Sequence, residues 1–196
     1  VLQSKDDVIP LFESLLDRNI ANAQDFEQFL QDVSDLESAL SEDMAWRYIK
    51  MTCDTQNKDH ETSYLTFVQE IQPHLSPMED LLNRKIVDSP FAESLRQLNE
   101  GNEIYLRGLK GAVEIFREEN IPLQSELATL AQEYSSVQGN MSIEWDGQTI
   151  TLQQASNILM QTDRQKREQV WHLMQKRRAE DTDKLNELFN KMVQLR

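Results

Sequence analysis

Three histidines, one cysteine and a band of arginines and lysines are the chemically capable side chains of this 196-residue chain. His60-Glu61-Thr62-Ser63-Tyr64 opens like H-E-x-x-H, the helical pattern that brings two imidazoles, one turn apart, onto one zinc ion. The second imidazole is missing, because Tyr64 stands in its place, and His60 reads as a surface helix residue. His74 follows Pro73 and also reads as a surface residue. His172 follows Trp171 and reads as locally structural. Cys53 is a candidate nucleophile with His60 as base, but no glycine-rich nucleophile turn surrounds it, so a packed thiol at a helix end is expected. No phosphate-binding loop or dinucleotide fingerprint occurs. The basic cluster Arg164, Lys166, Arg167, Lys176, Arg177, Arg178 is interrupted by Glu168, Val170 and Trp171. One tryptophan is not a stacking platform, so these cations are expected to pair with acidic helices rather than with nucleic acid. The residues by themselves assign no catalytic, cofactor-binding or metal-ligating position.

Charge and composition narrow the classes further. The net charge is −14 and the mean hydropathy −0.62. Residues 1–100 hold 8 basic and 20 acidic side chains, and residues 101–196 hold 12 and 14. Such a chain is repelled by nucleic acid and by anionic membranes, and neither is expected as a partner. Seven carboxylates and no base lie between Ala23 and Asp43, which reads as a solvated acidic helix face. No run of eighteen apolar residues occurs, so no transmembrane helix is expected. One cysteine excludes an internal disulfide and fits a reducing cytosol, so a cytoplasmic location is expected. The chain starts at Val1 without a basic, then apolar, leader, and Leu195-Arg196 interrupts a helical pattern. Both ends suggest a piece of a longer protein.

With only 5 Gly and 5 Pro, the chain lacks the turns of a β-sandwich, and nearly every segment reads as helix. A first helix is expected from about Asp7 to Arg18, with Pro10 in its first turn. A long second helix follows from Phe26, Phe29, Val33, Leu36, Leu40, Met44, Tyr48 and Met51, which step by three or four. After Asp54-Thr55-Gln56-Asn57, Tyr64, Val68, Ile71 and Leu75 continue the rhythm, so the two segments predict an antiparallel helical hairpin. Pro73 is expected to kink or end the third helix, and Ser76-Pro77-Met78-Glu79 to restart it with a capping box. Asp88-Ser89-Pro90 is the best internal boundary, giving regions 1–89 and 90–196. Phe91 to Phe116 reads as one helix whose Gly101, Gly108 and Gly111 predict close helix packing, since interior glycines cost up to ~1 kcal/mol each. A further helix is predicted from Pro122 to about Val137. Met141 to Leu152 reads as a hairpin turning at Asp146-Gly147, pairing Trp145 with Gln148, Ile143 with Ile150 and Met141 with Leu152. Thr151 with Gln154 predicts a capping box, and Asp163 starts one last helix whose stretch Gln175 to Lys184 is polar and exposed. The fold class is therefore mainly α: a long antiparallel helical hairpin, further helices, and one small β-hairpin near 141–152.

Several stretches carry a family resemblance. They are Ala45-Trp46-Arg47-Tyr48-Ile49-Lys50-Met51-Thr52-Cys53-Asp54-Thr55, Phe67 to Pro73, Met141 to Leu152, and Gln153 to Arg178 with L-Q-Q-A-S-N-I-L and D-R-Q-K-R-E-Q-V-W. Together they resemble the N-terminal portion of oligoendopeptidase F, in the thimet-oligopeptidase-like family of zinc metallopeptidases. The resemblance implies a mostly helical lobe forming one wall of a channel that admits short peptides and excludes folded proteins. It places the H-E-x-x-H zinc site, with a further glutamate ligand, in a C-terminal catalytic domain that would follow residue 196. It therefore implies zinc only in the longer parent, with that domain and short peptides as partners, and an inactive isolated segment. The acidic bias suggests steering of basic peptides. A free-standing helical protein-interaction module is the alternative reading.

Overall fold

Phe26, Val33 and Leu40 are seven residues apart, and the next place in that row is Arg47. The row is buried along a 31-residue helix, α2 (Ala23–Cys53). The computed structural model describes residues 2–196. Before α2 come a 3-10 turn (Lys5–Asp7), held by a Ser4/Asp7 capping box, and α1 (Ile9–Asp17), with Pro10 in its first turn. After it come α3 (Lys58–Thr66), a π-helical turn (Phe67–Ile71) and α4 (Gln72–Val87). Two compact units are present, residues 1–49 with 62–125 and residues 50–61 with 126–196.

In the first unit, Arg47 bonds Ser63 and lies over Phe67, while Phe29 lies under Lys85. Partners rise in number on one strand of the hairpin as they fall on the other, so the expected antiparallel helical hairpin is present. Val8, Phe12, Phe26, Phe29, Ile71, Leu75, Leu82 and Ile86 form its dry interior. The expected break at Pro73 and restart at Ser76 do not occur. The Gln72 amide reaches back to the Phe67 carbonyl across the wide π turn, and Pro73 enters α4 in its first turn, where a missing N–H costs little. Ser76 is no cap. Its Oγ donates to the Gln72 carbonyl at 3.1 Å, and α4 runs on through Pro77.

The single helix expected from Phe91 to Phe116 is two: α5 (Ala92–Arg96) and α6 (Glu100–Ile115). Asn99 divides them, because its side chain accepts the Asn102 amide at 2.9 Å and caps α6. A Cβ built on Gly108 or Gly111 meets nothing within 4 Å, so the close packing expected at these glycines is absent. The helix α7 (Asn120–Gly139) starts in this unit and ends in the other.

The second unit holds the hairpin, β1 (Ser142–Trp145) and β2 (Gln148–Thr151), in the predicted register. Asp146 (φ 52°) and Gly147 (φ 76°) supply the two left-handed residues of its turn. Thr151 and Gln154 form the predicted capping box on α8 (Leu152–Ile158). Asp163 accepts two amides to start α9 (Arg164–Glu180). The expected last helix divides here too. Asp181, paired with Arg177 at 2.5 Å, begins α10 (Thr182–Gln194). Ile143, Ala155, Val170 and Met174 make the small core that keeps this hairpin from being isolated. No helix among the described residues is long and apolar enough to cross a membrane.

Candidate functional site

The incomplete zinc motif lies on α3 and is committed to structure. Tyr64 is buried with its ring 5.9 Å from that of Tyr48. Glu61 pairs with Lys58 at 2.6 Å and accepts the Gln132 amide at 2.9 Å. The Lys58 ammonium holds the Glu61 carboxyl below the ordinary glutamate range, which makes it an anion anchor and a poor base. His60 is half-buried, and its Nδ1 is buried without a hydrogen-bond partner, so it is less exposed than the sequence reading had it.

The remaining candidates are dispersed. His74 is exposed, with Nε2 at 3.3 Å from Lys5 Nζ. His172 is exposed and edge-on to Trp171 at 5.0 Å. Cys53 ends α2 but is exposed, which corrects the expectation of a packed thiol. In the basic cluster, Arg177 pairs with Asp181 and Glu180 at the end of its own helix. Among the described residues, no group of three or more His, Cys, Asp or Glu could hold a metal ion.

Sequence reasoning passed over the most connected charge. Arg47 is only 6% exposed. It bonds Asp43 at 2.8 Å, the Ser63 carbonyl at 2.8 Å, Ser63 Oγ at 3.0 Å and the Leu2 carbonyl. Tyr48, the apolar residue expected in this row, is 50% exposed. The seven-residue spacing from Leu40 was the available signal, since a seven-residue row drifts only about 20° per step on a helix. Further along the hairpin, Arg84 pairs with the buried Asp80 at 2.6 Å. Between α4 and its neighbours, burial pushes the Glu79 carboxyl up, and the nearby Glu37 charge pushes it further.

Two open clefts accompany these groups. One, of about 610 Å³, is lined by Val87, Arg96, Glu103, Leu106, Arg107 and Lys110. The other, of about 620 Å³ in the second unit, is lined by residues including Met51, Thr55, Gly139, Met141, Leu152 and Arg178. Either has the volume of a small-ligand site, but neither gathers a nucleophile, a base and an oxyanion donor. Arg47 and Lys85 instead tie helices of the first unit to one another.

The sequence matches the peptidase M3 N-terminal domain family over residues 5–116, more than half of the chain. The chain belongs to that family. Its fold is shared with three solved structures. A 3.1 Å X-ray structure assigned as oligoendopeptidase F matches with a TM-score of 0.89 at 18% identity, over 98% of this chain and 34% of the other. PZ peptidase A with an inhibitor matches at 0.87 and 18% identity, over 98% and 34%. An assigned oligoendopeptidase F from Bacillus anthracis str. Ames matches at 0.89 and 15% identity, over 98% and 35%. The chain thus spans about a third of the length of these solved chains. No curated protein matches. Family and fold agree with the resemblance to the N-terminal portion of an oligoendopeptidase. The family match covers the helical hairpin and α5–α6, whereas β1–β2 and the helices after it are covered by the fold alone.

Proposed function

We propose that this chain is the N-terminal lobe of a zinc-dependent oligopeptidase resembling oligoendopeptidase F, and that it forms one wall of a channel admitting short peptides. The observation that supports this most is the combination of the family match over residues 5–116 with a shared fold over 98% of the chain. In this reading the region 90–196 continues into a C-terminal catalytic domain, and the protein is cytoplasmic. That domain is the partner of this lobe and supplies the zinc, which polarises a scissile carbonyl and activates water when bound. The residues of this chain do not suit that ion. Tyr64 replaces the second imidazole, and Glu61 is tied to Lys58 and Gln132. The lobe alone is inactive.

The test is to express the natural reading frame through and beyond Arg196 and to follow cleavage of a quenched fluorescent peptide of about ten residues. Cleavage that a chelator abolishes and zinc restores supports the reading. A frame that stops at Arg196, or a longer chain that cleaves no peptide, overturns it and favours the free-standing interaction module.

A further inference from the structure

In the second unit, the ends of α2 and α7, the start of α8 and the helices α9 and α10 converge on the open cleft of about 620 Å³. Gly139 lets the end of α7 close on Thr55, because a Cβ there would stand 2.8 Å from Thr55 Cγ2. The floor is apolar: Met51 and Met141 are each 3% exposed, with Leu152 and Leu185 half-buried beside them. Most of the polar rim is already engaged. Thr55 donates to Asn140 at 3.5 Å, Ser135 to the Ala131 carbonyl at 2.9 Å and Gln138 to Tyr134 at 3.3 Å. Thr151 accepts the Gln154 amide at 3.2 Å. Arg178 and Gln153 differ, for neither side chain has a hydrogen bond or an ion pair among the described residues. The contrast is with the adjacent Arg177, which holds Asp181 and Glu180. Arg178 is also the one charged side chain among the described residues that line the cleft.

A guanidinium without an acceptor, beside an apolar floor and with no carboxylate in the lining, matches a single anion carried on an apolar body. Its planar fork meets a carboxylate through two parallel hydrogen bonds. A phosphate asks for further donors, and the Thr55 and Ser135 hydroxyls already spend theirs within the protein. We propose that this cleft is a subsite for the C-terminal residue of a short peptide. Arg178 holds the α-carboxylate, Gln153 bonds the last peptide unit, and the floor of Met51 and Met141 receives an apolar side chain. This rests on the reading of the chain as the lobe of an oligopeptidase. An α-carboxylate and its side chain leave the same carbon, so a charged rim beside an apolar floor fits the pair. The carboxylate of an Asp or Glu side chain offers no such pairing.

The test is photo-crosslinking in the natural full-length chain, treated with a chelator so that the probe is not cleaved. The probe is acetyl-Ala-Ala-benzoylphenylalanine, as the free acid or as the C-terminal amide, because benzophenone inserts readily into methionine C–H bonds. Labelled residues are read by mass spectrometry. The free acid is expected to label Met51 or Met141, and the amide to label them about tenfold less. Arg178→Gln is expected to abolish the preference for the acid, and Arg178→Lys to keep part of it. The Arg178 side chain has no partner inside the protein, so both variants are expected to fold with Tm unchanged. Equal labelling by acid and amide, labelling that Arg178→Gln leaves unchanged, or no label in this cleft overturns the proposal. If that chain cleaves peptides, the peptidase reading still stands. Displacement of the acid by phenyl phosphate but not by N-acetyl-leucine assigns the cleft to phosphates and also overturns the proposal. Acid-selective labelling that needs Arg178, in a chain that cleaves no peptide, keeps the carboxylate subsite and removes the peptidase reading.

Discussion

The Nζ of Lys85 donates a 2.6 Å hydrogen bond to the main-chain carbonyl of Arg18. It also donates to the carbonyls of Leu16 at 2.7 Å and Leu15 at 3.0 Å, and lies 5.2 Å from the Phe29 ring centroid. One ammonium on α4 therefore gathers the carbonyls at the end of α1 and its C-cap, where Leu15 also accepts the Arg18 amide, with the charge sign that a helix C-terminus favours. Lys85→Met keeps the stem and removes the donors. It is expected to cost about 1.5–3 kcal/mol, the range for hydrogen bonds to a charged group, measured by urea unfolding. A loss under about 0.5 kcal/mol would show that water replaces the lysine.

Arg47→Lys is expected to be harmful although it keeps the charge. A single ammonium cannot span Asp43, Ser63 and the Leu2 carbonyl, which the guanidinium reaches in different directions. Breaking a buried pair typically costs about 3–5 kcal/mol, and Arg47→Met should fall in that range by leaving Asp43 unpaired. The Lys variant is expected to recover less than half of that loss in the same unfolding measurement.

Glu79→Gln should separate from the parent with pH. Burial and the Glu37 charge raise the folded-state pKa of Glu79 above its ordinary 4.5. Between 4.5 and that raised value the folded chain keeps a proton that the unfolded chain has released. The parent therefore loses stability as pH rises through this window, and the loss persists above it. Glutamine has no such proton. The variant is expected to be more stable than the parent at pH 7, and the gap to close below about pH 4. Unfolding free energies at the two pH values decide this, and a gap independent of pH would contradict it.

The glycines make opposite predictions in the 196-residue chain. Gly108→Ala and Gly111→Ala add a methyl into open space on a helix and should each stabilise by about 0.5–1 kcal/mol. Gly139→Ala would place its Cβ 2.8 Å from Thr55 Cγ2, and Gly147→Ala would hold alanine at φ 76°. Both should destabilise, by about 1 kcal/mol or more. Thermal unfolding of the four variants should show the two signs. Destabilisation by Gly108→Ala would mean that an unseen contact fills that space.

Features governed by a few neighbouring residues were legible from the amino acids. The Asp146-Gly147 turn set the hairpin register, because both residues accept a left-handed backbone and the alternation of Met141, Ile143 and Trp145 then fixes one face. Thr151 and Asp163 marked helix starts because a cap bonds amides two or three residues away. The apolar row of α2 and the row Tyr64, Val68, Ile71 and Leu75 likewise predicted the antiparallel pair. The absence of a complete zinc motif was legible too, since it is a matter of residue identity at Tyr64.

Other features were settled by residues far apart in sequence. Arg47 is buried in place of Tyr48 because Ser63 and Leu2 arrive to satisfy its guanidinium. The helix passes Pro73 because a π turn re-phases the backbone, and the Ser125 hydroxyl reaches the Val68 carbonyl in that turn at 2.8 Å. Asn99 and Asp181 divide helices that periodicity alone would join, and these are local signals, a cap and an i,i+4 pair, that the apolar rhythm masked. Leu106 is buried on α6, whereas a Cβ at Gly108 or Gly111 would meet open space. Sequence by itself determined periodicity, turns and caps, whose energies arise within about four residues along the chain. Tertiary structure decided which polar groups are buried and which apolar face is left over, because the cost of burying a charge depends on partners that only folding brings near.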